Sequence, residues 1–211
     1  MKQHLEIERR WLVLEIDHKI HSLPGVIIDQ AYFSMADGLR VRIIPTNSEL
    51  TIKTGHGISR IEKTVDISLE AARLLVESTP FTITKLRRSL RGWDIDFFQK
   101  ELLGVIVAEF EMTSPDQPMV LPPEISSAIE VTSIISSRHL AQIAYDLRAT
   151  TREQRSCGKL LPSFTKTYEI IDHIVRLIKG SPDENNLGSI LRHYQFCDYL
   201  VRGLKEGPLM R

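Results

Sequence analysis

Between Leu5 and about Met112, apolar and polar residues alternate with a period of two, in short runs broken by turn residues. In HLEIERRWLV, Leu5, Ile7, Arg9, Trp11 and Val13 point one way, and Glu6, Glu8 and Arg10 the other. Further runs follow at 26–34, 39–44, 49–55, 59–68, 81–88, 92–98 and 104–112. Turn signals separate them, among them Ala36-Asp37-Gly38, Pro45-Thr46-Asn47, Gly55-His56-Gly57 and Ser89 to Gly92. One stretch has helical spacing instead: Ser68 is placed to cap LEAARLLVES, with Leu69, Ala72, Leu75 and Val76 on one stripe. The pattern predicts eight hairpin-linked antiparallel strands, a number able to close into a barrel around one small ligand.

The charged residues keep one parity on nearly every strand. Arg40 and Arg42 oppose Leu39, Val41 and Ile43; Asp94 and Asp96 oppose Trp93, Ile95 and Phe97; Glu109 and Glu111 oppose Ile106, Ala108 and Phe110. The shared set holds seven cations, Arg10, Arg40, Arg42, Lys53, Arg60, Lys85 and Arg87. It also holds Glu6, Glu8, Glu62, Glu109 and Glu111, with Asp66, Asp94 and Asp96 as additions. An open sheet would leave this face in water. A closed one would fill with either the apolar or the charged parity, and a charged interior is tolerable only if its charges match one another and a ligand. Guanidinium and ammonium groups suit phosphate oxygens, and clustered carboxylates suit Mg²⁺ or Mn²⁺. Together they are the means of holding a metal-bound polyanion.

Composition narrows the classes. The chain has 211 residues, with 27 Lys+Arg against 27 Asp+Glu. That balance argues against a nucleic-acid partner. Two isolated cysteines, Cys157 and Cys197, suggest neither a disulfide framework nor a zinc knuckle. No apolar run reaches membrane-spanning length, so the expectation is a cytoplasmic protein without a membrane partner. His4, His18 and His21 read as surface residues, His139 and His173 as helix-face ones, and Trp11 and Trp93 as outward residues under helices. After Pro122-Pro123 come a short segment at 128–134 and a helix over about 137–147. Past Thr150 only helical patterns remain, one from Ser163 to Gly180 and one starting at Ser181-Pro182-Asp183. The expected division is a tunnel domain over 1–150 and a helical extension over 151–211. The extension's apolar stripes would cover the barrel or form a homodimer.

The opening EIERRWLV resembles the Glu-x-Glu-x-Lys signature of the CYTH, or triphosphate tunnel metalloenzyme, superfamily. The similarity continues in order through QAYFS, LRVRI, ELTIKTG, SRIEKTVDIS, ITKLRR, GWDIDFF, VIVAEFEM and IEVT, over about the first 145 residues. It implies an α+β fold: an eight-stranded antiparallel barrel whose charged lumen grips a triphosphate, with flanking helices. It implies that Glu6, Glu8 and Glu111 hold Mg²⁺ or Mn²⁺, with Glu109 a further ligand and Glu130 an acid near the mouth. Arg10, Arg40, Arg42, Arg60, Lys85 and Arg87 would bind substrate. Lys53 would bind it and take part in catalysis with Glu62 and Glu109, one of which orients water.

Three positions depart from the family pattern. Arg10 stands for Lys, Thr64 stands where many members have a second Glu, and SSRHLA replaces a longer stretch. The resemblance implies a metal-dependent triphosphatase of the bacterial inorganic-triphosphatase-like branch, with a small triphosphate as substrate. A class IV-type adenylyl cyclase and a non-catalytic polyphosphate- or nucleotide-binding module are the alternatives. Thiamine triphosphatase is disfavoured by the residues after Glu-x-Glu.

Overall fold

A computed structural model describes residues 1–33, 38–55, 58–132 and 134–156, with side chains to 149. The helices expected beyond 156, Cys157, His173 and Cys197 lie outside the described residues. Nine strands form one sheet: β1 (Lys2–Ile16), β2 (Val26–Tyr32), β3 (Leu39–Ile44), β4 (Asn47–Thr54), β5 (Ser59–Asp66), β6 (Phe81–Leu90), β7 (Trp93–Phe98), β8 (Ile106–Glu111) and β9 (Ile125–Glu130). The helices are α1 (Leu69–Glu77) and α2 (Ser137–Ser156).

All pairings are antiparallel, in the order β5-β4-β3-β2-β6-β7-β8-β1-β9, and a further β5–β1 pairing closes eight of the strands into a barrel. Closure depends on the 15-residue length of β1. β1 pairs with β5 over Lys2–Ile7, with β8 over Glu8–Leu12, and with β9 from Trp11 onward. Glu8 and Arg10 bond towards β5 and β9 on one edge, while Ile7 bonds Met112 on the other. β5 thus gives way to β9 along one edge. β9 is a strand beyond the eight expected, covering part of the short segment read at 128–134.

Local chemistry explains the rest. The Ser68 hydroxyl accepts from the Ala71 amide and caps α1 as its sequence predicts. α1 lays Ala72 on Ala31 and Val41, with Leu75 and Val76 beside them. The β6–β7 hairpin turns on Arg91 and Gly92, both at positive φ (52° and 83°), which Gly accepts without cost and Arg does not. α2 runs nine residues beyond its expected end at Leu147. Its last turns are polar all round, so no apolar period marked them, yet no Gly or Pro interrupts them before Gly158.

Two expectations about packing need correction. Trp11 and Trp93 do face outward, 4.9 Å apart, but Met119 and Leu121 of an irregular segment pack against them, together with Ile20 of a short 3₁₀ helix (His18–Ser22). Nor is the interior wholly ionic. Leu12, Ile28, Ile83, Phe98 and Val107 share the inward parity and are buried. α2 packs against β6 and β2, burying Leu140, Ile143 and Ala144. Arg148 ties it down through Glu101 at 3.0 Å and the carbonyls of Pro80 and Thr82. No helix among the described residues is long and apolar enough to cross a membrane.

Candidate functional site

The charged parity converges on the bore. A cavity of about 450 Å³ is lined by Glu6, Glu8, Arg10, Arg40, Arg42, Lys53, Glu62, Lys85, Arg87, Glu109 and Glu111, with His4, Ser89, Gly92, Asp94 and Ser137. Arg60 lines an adjoining hollow that shares Arg10, Arg40 and Lys53 with it. Glu130 stands apart from the acids it was grouped with. It is in register with outward-facing Trp11, lies 3.8 Å from Arg9 and accepts from Thr132, so it lines neither hollow.

Strand register sets opposite charges against each other. Glu6 faces Arg60, Arg10 faces Glu109, Lys53 faces Glu62, Arg87 faces Asp96 and Arg42 faces Glu49 across neighbouring strands. The side chains then link into an alternating series around the wall. Lys85 and Arg87 share Asp96, and Arg87 also reaches Glu109 at 2.6 Å. Arg10 joins Glu109 (2.7 Å) to Glu8. Arg60 lies 3.4 and 3.5 Å from Glu8 and Glu6, and Lys53 joins Glu6 to Glu62 at 2.9 Å. Arg40 ends the series, 3.7 Å from Glu62.

These partners set the ionisation of each group. Burial opposes charge on Glu109, but Lys85, Arg10 and Arg87 outweigh it and hold its carboxyl well below the usual range. At Glu62 burial is likewise outweighed by Lys53, Arg40 and a Thr64 hydroxyl hydrogen bond, bringing its pKa down to about 2. Thr64, where many family members carry a second Glu, thus steadies the first, 3.1 Å away. Burial raises the Glu8 carboxyl, Arg10 compensates only in part, and Glu109 and Glu6 add repulsion. Burial lowers Arg42, and the crowding of Arg40 and Arg87 lowers it further. One wall is therefore short of negative charge, and Glu8 stands where charge is in excess.

The carboxylates fit a hard divalent cation by donor type. Glu8 lies opposite Glu111 in register, Glu6 is two residues along the same face, and Glu6 Oε2 is buried without a hydrogen-bond partner. Among the described residues no three acidic, imidazole or thiol side chains converge as a metal cluster. Glu6 and Glu8 instead lie against Lys53, Arg60 and Arg10.

Some residues on the inward parity escaped the sequence reading. His4, read as a surface residue, is half exposed at the mouth, 3.9 Å from Glu111. Gln30 and Tyr32 share the inward parity of β2, with Gln30 opposite Arg42 and Tyr32 opposite Arg40. The period-two test applied to QAYFS would have found both, but neither carries a formal charge to draw attention.

No family model matches the chain, and no curated protein matches it. Among solved structures, it is similar to the inorganic triphosphatase NE1496 at 26% identity, covering 64% of this chain and 93% of that one, with a TM-score of 0.45. It is similar to a candidate adenylate cyclase from Bacillus halodurans at 19% identity, covering 55% and 84%, with a TM-score of 0.45. It is similar to the PH1012 protein of Pyrococcus horikoshii OT3 at 14% identity, covering 53% and 81%, with a TM-score of 0.37. The resemblance to the triphosphate tunnel superfamily rests on the ordered motifs, the closed barrel and its ionic bore.

Proposed function

We propose that this chain hydrolyses a terminal phosphoanhydride of a triphosphate, inorganic triphosphate foremost, inside the barrel. The observation that carries this reading is the convergence of six of the seven predicted cations on one bore, with Arg60 in the adjoining hollow, beside acids contributed by β1, β5 and β8. Charge density of that kind matches a chain of phosphates better than any neutral metabolite.

Arg40 and Arg42 keep buried guanidinium N–H groups without partners, so they are the donors with most to gain from phosphate oxygens. Arg87 and Lys85 are held rigid by Asp96 and contribute charge at a fixed place. Lys53 and Arg10 reach the phosphate chain by exchanging a carboxylate partner for it. Glu62 and Glu109 stay ionised at neutral pH, and one of the two accepts a hydrogen bond from the attacking water, orienting it for in-line attack. Mg²⁺ or Mn²⁺, held by Glu6, Glu8 and Glu111 with Glu109 nearby, would neutralise charge on the phosphate oxygens.

The test is a phosphate-release panel on the full chain with inorganic triphosphate, ATP, thiamine triphosphate and long polyphosphate, each with Mg²⁺ or Mn²⁺. Fastest release from inorganic triphosphate supports the reading. Cyclic AMP made from ATP would transfer the assignment to the cyclase reaction, and tight binding without turnover would make the barrel a binding module.

A further inference from the structure

β2 carries one inward polar side chain to which the proposed reaction gives no part. Gln30 is 1% exposed, and neither its Nε2 nor its Oε1 has a hydrogen-bond partner. Left unpaired, a buried amide costs stability. Its two neighbours across the ladder differ in what they offer. On β6 it faces Ile83, which has nothing to bond. On β3 it faces Arg42, and residues so opposed lie about 5 Å apart at Cβ.

Arg42 in turn stands between two acceptors, Gln30 on β2 and Glu49 on β4. Its guanidinium pairs with Glu49 through Nη1 at 3.1 Å, while its Nε is buried without a partner. An unmet donor and an unmet acceptor therefore sit on facing residues. A phosphate oxygen or Gln30 Oε1 could meet that N–H, and only the second also relieves Gln30. Burial and the nearby Arg40 and Arg87 disfavour the Arg42 charge, so it needs an anion wherever it points. A phosphate can take over from Glu49, which is partly exposed and can be left to water.

We infer that Gln30 is a positioning residue for Arg42. When a polyanion draws Arg42 from Glu49, Gln30 Oε1 accepts from Arg42 Nε and leaves the terminal Nη groups to phosphate oxygens. The inference rests on the triphosphate reading and gives Arg42 two settings, one against β4 and one against β2.

Calorimetric titration of the full chain with inorganic triphosphate in excess EDTA reads affinity apart from turnover. Gln30→Met, close in volume but unable to donate or accept in this way, should bind about tenfold more weakly, the scale of one hydrogen bond to a charged group. Its urea midpoint without triphosphate should be no lower than the parent's, since an unpaired buried amide is gone. In an Arg42→Gln background the same change should leave affinity within about twofold, because the group it positions is absent. Parent affinity in Gln30→Met, an equal loss in the Arg42→Gln background, or weaker binding accompanied by a lowered midpoint overturns the positioning role. Gln30→Leu repeats the comparison if Gln30→Met does not fold. A parent that binds no triphosphate rejects the polyanion reading and this inference together. The expected pattern of affinities with no phosphate release under any metal keeps the role of Gln30 and rejects hydrolysis.

Discussion

Lys85 and Asp96 form an ion pair cut off from bulk water inside the barrel, with side chains 1% and 0% exposed. Arg87 holds the second carboxylate oxygen through its Nε at 2.7 Å, so two cations on β6 share one aspartate. Burial works against the Lys85 charge and lowers its pKa, and Asp96 opposes that shift. Removing the aspartate strands Lys85 in a medium that solvates it poorly, whereas Arg87 keeps Glu109 and Asp94.

Asp96→Ala should therefore destabilise the fold by about 3–5 kcal/mol, read as a fall in the urea midpoint. Adding Lys85→Met should recover part of the loss, because one uncompensated charge then disappears. A midpoint equal to the parent's in Asp96→Ala would mean that water reaches the pair.

Glu8→Gln should remain folded, with a melting temperature no lower than the parent's near neutral pH. Burial and the neighbouring Glu6 and Glu109 already disfavour the charged form, so a neutral isostere relieves repulsion. The same change should cut metal-dependent phosphate release by about 10²–10³, the usual scale for losing one electrostatic contact to a reacting group. Turnover at the parent rate would reject Glu8 as a metal ligand.

Acid should unfold the protein through the lumen carboxylates. Glu62 has its pKa lowered from 4.5 to about 2, so its stabilisation is complete above 4.5 and is lost as pH falls towards 2. Glu109, also held low, adds in the same direction. Glu8, held high, acts oppositely and blunts the loss. Glu62→Gln should flatten the fall in melting temperature across that window, and an unchanged slope would mean that Lys53 and Arg40 do not hold Glu62 ionised.

Arg42 should matter more to the ligand than to the fold. Burial and the adjacent Arg40 and Arg87 disfavour its charge, a strain that a polyanion would relieve. Inorganic triphosphate should raise the melting temperature in a concentration-dependent way, and Arg42→Gln should shrink that rise. Equal ligand-induced shifts in parent and variant would remove Arg42 from the binding site.

Ser68→Ala removes the cap of α1 and should cost about 1 kcal/mol without altering phosphate release. An effect on turnover would show that α1, packed outside the barrel, communicates with the bore.

Which way each strand faces was settled by the chain's own alternation, since neighbouring side chains on a strand must point to opposite sides whatever else the chain does. That local rule sorted Arg40 from Val41 and Asp96 from Phe97, and the Ser68 cap and the α1 stripe obey equally short-range chemistry. Partnership is a different matter, because it depends on register and closure between strands far apart in the chain. Only the folded barrel brings Arg87 of β6 to Glu109 of β8, turns Glu130 outward beside Arg9, and fills part of the interior with Leu12, Phe98 and Val107. The cation-lined hollow under α2 is likewise a product of tertiary structure, since it gathers Arg40, Arg60 and Arg138 from β3, β5 and α2. No periodicity within one segment encodes a distance between segments, and it is distance that decides whether charges meet one another or wait for a ligand.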